Sequence, residues 1–191
     1  MDKQTRVEAA VKRLLTALDV DDHAPNFKET PKRYAEWISQ HFTTDLEFKV
    51  ALDLLSKASF PSTYSGLVMQ TEVTSDGICP HHLLPVRYRV AIGYLPNGTA
   101  IGLSKLTRIA RLCLSRAGIQ EDLTAELASS LQTALKTEDV AVVVRGIHMC
   151  MICRGVRAVN STTTTSSMLG RFIRDDKHAR EEFLLLAYGG R

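Results

Sequence analysis

Leu67-Val68-Met69-Gln70-Thr71-Glu72-Val73-Thr74 alternates two sets of side chains along its length. Val68, Gln70, Glu72 and Thr74 make one set, and Leu67, Met69, Thr71 and Val73 the other. With its β-branched enrichment, the stretch reads as a strand. A second strand is expected over 86–95, ended by the turn signal Pro96-Asn97-Gly98. Two helical patterns follow. The first starts near Ser104, buries Leu106, Ile109, Ala110 and Cys113, and ends near Gly118. The second repeats Ile119, Leu123, Leu127, Leu131 and Leu135 at i+4 spacing. Val140-Ala141-Val142-Val143-Val144 then opens a long extended segment running through Val159. A last helix is expected from near Asp175, burying Ala179, Phe183 and Leu186. The order strand, strand, helix, helix, strand, strand predicts an α+β fold. Its antiparallel four-stranded sheet carries helices on one face.

Upstream, Val7, Val11, Leu14, Leu15 and Leu18 form the stripe of an amphipathic helix. Thr30 is placed as the N-cap of a second helix, with Pro31 at its first position. Leu46, Val50 and Leu54 mark a third. The chain therefore divides into an N-terminal helical extension, residues 1–62, and a sheet-bearing catalytic domain, residues 63–191. Residues of both charge signs are mixed, and the net charge of +3 is too mild to argue for nucleic acid. No apolar run reaches membrane-span length, and the polar Met-Asp-Lys-Gln start carries no signal-peptide pattern, so the expected location is the cytoplasm. Four cysteines make no disulfide framework in a chain of 191 residues.

The chemistry concentrates in Cys79-Pro80-His81-His82-Leu83-Leu84-Pro85. Cys79 and His82 have the C-x-x-H spacing of half a zinc site, with a second imidazole, His81, beside them. The other half lies in Gly146-Ile147-His148-Met149-Cys150-Met151-Ile152-Cys153-Arg154. Cys150 and Cys153 together would close a four-ligand structural site, whereas Cys150 alone would leave the open position a catalytic metal needs. Strand alternation puts His148, Cys150 and Arg154 on one face and Cys153 on the other, which favours the open site. Cys113 and Cys153 read as core thiols. Ser104, as an N-cap, with Lys105 and Arg108, makes the start of the first core helix an anion site. Gln120-Glu121 opens the next helix, where a carboxylate can accept the N1–H and N2–H₂ donors of guanine.

Together these pieces resemble GTP cyclohydrolase I. Glu29 to Arg33, Cys79 to Pro85, Gly102 to Leu106, Gln120 to Thr124, His148 to Met151, Arg154 to Val156 and Thr163 to Gly170 match that family in order and spacing. The resemblance implies the tunnelling fold, GTP as substrate and Zn2+ on Cys79, His82 and Cys150. It implies His81 as proton donor and acceptor at the purine five-membered ring, and His148 as a catalytic hydrogen-bonding group near the reacting carbon and the phosphates. Gln120 and Glu121 would hold the guanine and ribose region, and Ser104, Lys105, Arg108 and Arg154 the triphosphate. Hydroxide attack at C8, ring opening, formate release and rearrangement would give 7,8-dihydroneopterin triphosphate. A homo-oligomer, a decamer in this family, would build each site at subunit contacts. Three departures stand out. Pro80 replaces the family's usual Glu. Phe60 to Gly66 lacks the cation expected there, with Lys57 the nearest substitute. Asp122 stands where a basic residue is common. They motivate two alternatives: a non-catalytic, zinc-stabilised nucleotide-binding or scaffold protein, and a divergent cyclohydrolase acting on another purine nucleotide.

Overall fold

The structure is a computed structural model and describes residues 1–173 and 177–189. The chain forms two compact units, Met1–Thr44 and Asp45–Arg191.

The first unit is helical. Helix α1, Lys3–Ala17, is capped by the Asp2 carboxylate, which accepts from the Thr5 N–H at 2.8 Å. Of its apolar stripe, Val11 and Leu15 are buried while Leu14 and Leu18 remain exposed. Helix α2, Thr30–Ser39, packs on α1 through a face that includes Ala35 and Ile38. Thr30 is the first helical residue rather than the cap, and Glu29 takes the cap position without a side-chain bond. Pro31 sits in the first turn, where its missing N–H costs nothing.

The second unit carries the sheet. Helix α3, Asp45–Ser56, leads into the short strand β1, Ser59–Pro61. Strands β2, Val68–Ile78, and β3, Pro85–Tyr94, form the first hairpin. After β4, Thr99–Ile101, which pairs with β1, come helices α4, Leu103–Leu114, and α5, Gln120–Leu135. Strand β5, Val140–His148, the single turn α6, Met149–Ile152, strand β6, Thr163–Met168, and helix α7, Lys177–Tyr188, complete the described residues. The main sheet runs β2-β3-β5-β6, antiparallel throughout.

Several expectations change here. Helix α3 turns Phe48, Leu52 and Leu55 inward and leaves Leu46, Val50 and Leu54 exposed. Both triplets fit helical spacing, and the face with the aromatic wins because it buries more area. The Arg116 guanidinium covers the Phe48 ring at 4.6 Å. Helices cover both sheet faces rather than one. Val140, Val142 and Val144 pack with α4 and α5, while Ala141 and Val143 pack with Ala179 and Phe183 of α7 and with Phe172. Burial on both sides explains why β5 is an unbroken apolar run. Leu186 of α7 is exposed, and the expected helix start near Asp175 lies outside the described residues. Ile119 is exposed as well, because it is the cap residue ahead of α5.

The segment after β5 is not extended through Val159. The chain folds into α6 at Met149, and Gly155 and Arg157 adopt positive φ in the loop beyond. The partner strand of β5 is instead the threonine-rich β6, whose β-branched residues suit a strand. No described helix is long and apolar enough to cross a membrane.

Candidate metal centre and its surroundings

The Cys79–Leu84 loop joins β2 to β3. The Cys79 N–H pairs with the Leu84 carbonyl at 2.9 Å, and the His82 and Leu83 N–H groups reach back to the Cys79 carbonyl at 3.4 and 2.9 Å. Pro80 is therefore the second residue of a turn opened by Cys79, where a fixed φ assists the turn. None of these backbone bonds calls for an N–H at position 80. The turn aims Cys79 and His82 at one point, and the Cys79 sulfur lies 3.5 Å from His82 Nδ1.

Cys150 arrives from the other hairpin, within α6. Ligand atoms of Cys79, His82 and Cys150 all lie within 4.8 Å of one another. An ion with bonds of about 2.3 Å to sulfur and about 2.0 Å to nitrogen, tetrahedrally disposed, spaces such a pair about 3.5 Å apart. The donor set and its spacing thus fit a zinc-sized ion. Cys153 is not one of the group. The expected outcome holds, but the expected reason does not. Strand alternation does not apply, because α6 is helical and Cys153 caps its end, exposed rather than in the core. Cys113 is a core thiol as expected, and burial pushes its pKa up to about 12.

His81 is exposed next to the centre, its ring centroid 6.2 Å from that of His82. Arg154 reaches His82 Nε2 from the loop after α6. His148, the last residue of β5, is held by Gln120 at the start of α5, with His148 Nε2 and Gln120 Oε1 2.9 Å apart. The Gln120 amide nitrogen donates to the Val144 and Thr163 carbonyls at 3.1 Å each and to Thr165 Oγ1 at 3.0 Å. Carbonyls only accept, so the amide can face one way alone. Its oxygen must then accept from His148 Nε2–H, which leaves Nδ1 of the neutral ring bare. Burial lowers the His148 pKa, against the opposing pull of the nearby Glu121 carboxylate, and so favours that neutral ring. Gly146, on β5, makes this possible, since a Cβ there would strike the Gln120 oxygen.

Gln120 is itself only 2% exposed. Its side chain, expected at the substrate, is buried against His148, while Glu121 beside it is exposed. A Gln120→Ala variant removes the amide that donates toward two carbonyls and a hydroxyl and the acceptor that holds His148. It should lose about 2–4 kcal/mol of stability in urea unfolding.

The expected anion site is elsewhere. Gly102 occupies the cap position of α4, and Ser104 lies inside the first turn without a capping bond. Helix α4 runs along β2: Thr107 bonds Gln70, Arg111 bonds the Thr74 carbonyl, and Leu114 abuts Gly77. Its C-terminal end is thus beside Ile78 and Cys79. Ser104, Lys105 and Arg108 lie toward its other end, and Ser104 is about 15 Å from Leu114 along the axis at 1.5 Å per residue. One chain brings Cys79, His81, His82, Gln120, Glu121, His148, Cys150 and Arg154 to one end of the sheet and leaves Ser104 and Lys105 toward the far end, with Arg108 near the middle of α4. Lys57, the substitute for the missing early cation, pairs with Asp53 at 2.6 Å.

The sequence reading overlooked Tyr88. It is fully buried on β3, edge-on to His148 with ring centroids 6.3 Å apart. Its alternation with Val86 and Val90 marks it only as a core aromatic. The available signal was the pair of glycines, Gly77 and Gly146, on the flanking strands.

A family model described as GTP cyclohydrolase I matches residues 7–187 of this chain. A Saccharomyces cerevisiae protein named GTP cyclohydrolase 1 is 40% identical over 181 residues, covering 95% of this chain and 73% of its own length. A protein of the same name from Coxiella burnetii is 39% identical over 176 residues, covering 92% and 94%. The Homo sapiens protein of that name is 40% identical over 178 residues, covering 93% and 70%.

Proposed function

The chain belongs to the GTP cyclohydrolase I family, and from that premise we propose how its residues divide the reaction. The enzyme hydrolytically opens the imidazole ring of GTP, releases formate and rearranges the remainder to 7,8-dihydroneopterin triphosphate. The observation that carries this reading is the convergence of three metal-ligand atoms with Glu121 and His148 at one end of the sheet.

Cys79, His82 and Cys150 would hold zinc, whose preference for sulfur and imidazole matches the donor set. Zinc, when bound, supplies the Lewis acidity that makes water nucleophilic near neutral pH. His81, exposed beside the metal ligands, gives and takes protons at the purine five-membered ring. His148 presents its bare Nδ1 as an acceptor, fixed in direction by Gln120. Glu121 accepts from the guanine N1–H and N2–H₂. Arg154 holds the phosphates from the metal end, and Ser104, Lys105 and Arg108 hold them from the start of α4. Those last three reach the nucleotide if they belong to a neighbouring copy, so the enzyme is a homo-oligomer with shared sites. The outer edges of β2 and β6 leave unpaired backbone for such contacts. The fold is the tunnelling fold, with residues 63–191 as its catalytic part, and the enzyme works in the cytoplasm.

Incubating zinc-loaded protein with GTP tests this. Formate and, after oxidation, a fluorescent neopterin product are expected. Absence of both from a zinc-replete sample overturns the reading, and parallel reactions with GDP and dGTP show whether a different purine nucleotide is preferred.

A further inference from the structure

The four cysteines fall into three environments. Cys113 is buried in the core, Cys79 and Cys150 converge with His82, and Cys153 is exposed and outside that group. The reaction scheme gives Cys153 no part. An exposed thiol is open to oxidants, and sites that respond to them often set such a thiol beside a second cysteine. Cys153 has that second cysteine. Cys150-Met151-Ile152-Cys153 lies on a single helical turn, closed by the bond from the Cys153 N–H to the Met149 carbonyl at 2.9 Å.

Helical geometry puts Cα atoms three positions apart about 5 Å from each other, inside the range of about 4.4–6.8 Å that a disulfide spans. The Cβ atoms start about 5–6 Å apart and must close to about 4.5 Å. The turn can tighten by that much. It has four residues, none of them fully buried, and stands between the end of β5 and a loop where Gly155 and Arg157 take positive φ. The competing pair is Cys79 with Cys150, whose sulfurs lie within 4.8 Å of each other. Cys79, however, is only 5% exposed, so an oxidant reaches Cys153 first.

We propose that Cys153 is a site of reversible oxidation by a hydroperoxide, and that it closes a disulfide onto Cys150 and so takes Cys150 out of the metal-ligand group. The Cys153 sulfur attacks the peroxide. An S–O bond forms as the O–O bond breaks, the thiol proton leaves with the departing oxygen, and Cys153 becomes a sulfenic acid. The Cys150 sulfur then attacks the Cys153 sulfur. The S–S bond forms, the S–O bond breaks, and hydroxide leaves as water with a proton from the Cys150 thiol or from solvent. The two sulfurs have lost two electrons in all, and hydrogen peroxide has become two waters. A dithiol reverses the step by exchange and is itself oxidised to a disulfide. With Cys150 in the disulfide, the centre keeps only Cys79 and His82, so oxidation and metal release are one event. That consequence rests on the metal reading given above, whereas the disulfide itself does not.

The test adds hydrogen peroxide to the purified, zinc-loaded protein, alkylates the free thiols and cuts with trypsin. Both cysteines fall in one tryptic peptide, Gly146–Arg154, because Arg145 precedes it. After peroxide this peptide should take up no alkyl group, and after a dithiol it should take up two. Zinc, followed with a chromophoric chelator, should appear in step with the disulfide. Cys153→Ser, which keeps the three ligands, should release zinc about tenfold more slowly at the same peroxide concentration. A link between Cys79 and Cys150 overturns the proposal, and so does an overoxidised Cys153 beside a free, alkylated Cys150. Equal rates of zinc loss from wild type and Cys153→Ser overturn it as well. If wild type binds no zinc, a disulfide within the peptide still supports the oxidation site while the metal reading falls. If wild type holds zinc and turns over GTP but the peptide stays fully alkylated after peroxide, this proposal alone falls.

Discussion

Cys150→Ala is expected to lose zinc and cyclohydrolase activity together while remaining folded. Cys150 is half-buried on the short α6 turn, packed at the rim of the core rather than inside it. Replacing it by alanine leaves no large cavity, so the fold should lose no more than about 1–2 kcal/mol. The chemistry has no such margin. Two ligands bind zinc far more weakly than three, and without the ion nothing lowers the pKa of the attacking water toward neutrality. Activity should fall by roughly three orders of magnitude or more. The control is Cys153→Ser, which should keep its metal and its activity, since that sulfur stands outside the ligand group. Metal analysis, circular dichroism and the neopterin assay on the same samples decide it. Should Cys153→Ser also lose zinc, the site has four protein ligands and no position for water. The non-catalytic scaffold would then be the better reading. Unfolding of the chain on metal removal would point the same way.

The contrast between those two cysteines also shows what could be read from sequence and what could not. The separated ligands were legible because Cys-x-x-His in a proline-bracketed loop has few other uses, and its partner lay in the next hairpin. The sheet was legible because β2 alternates and β5 is continuously apolar, two patterns with different physical causes. The conformation after His148 was not. A single helical turn of four residues has no periodicity to detect, and Met-Cys-Met-Ile suits strand and helix alike. Helix α3 failed for a related reason, since two faces carry apolar residues and only packing chooses between them. The burial of Gln120 was not legible either. A glutamine at a helix start looks like a surface residue until β5 and β6 close over it, and those contacts are separated from it by 24 to 45 positions.

The same distance argument governs the largest effect expected of the phosphate-binding residues. Cys150→Ala and a double Lys105→Ala, Arg108→Ala variant should each be nearly inactive alone. The first lacks the metal. The second lacks two cations for a triphosphate of high negative charge, and each such contact is worth about 1.5–3 kcal/mol when charged. Mixed, they should recover. The metal ligands lie by the C-terminal end of α4, whereas Ser104 and Lys105 lie in its first turn and Arg108 near its middle, with the helix packed along β2. On the shared-site reading proposed above, a nucleotide whose base rests on Glu121 meets those cations where a second copy presents them. In oligomers assembled at random from equal amounts of both variants, one site in about four combines an intact metal end with an intact α4. Activity should therefore return to about a quarter of the wild-type value per site. Co-expression with two affinity tags, followed by tandem purification and the neopterin assay, gives the measurement. Mixed oligomers that form but stay inactive would mean that each chain completes its own site. Lys105 and Arg108 would then have to act from within the same copy, and the shared-site reading would be wrong.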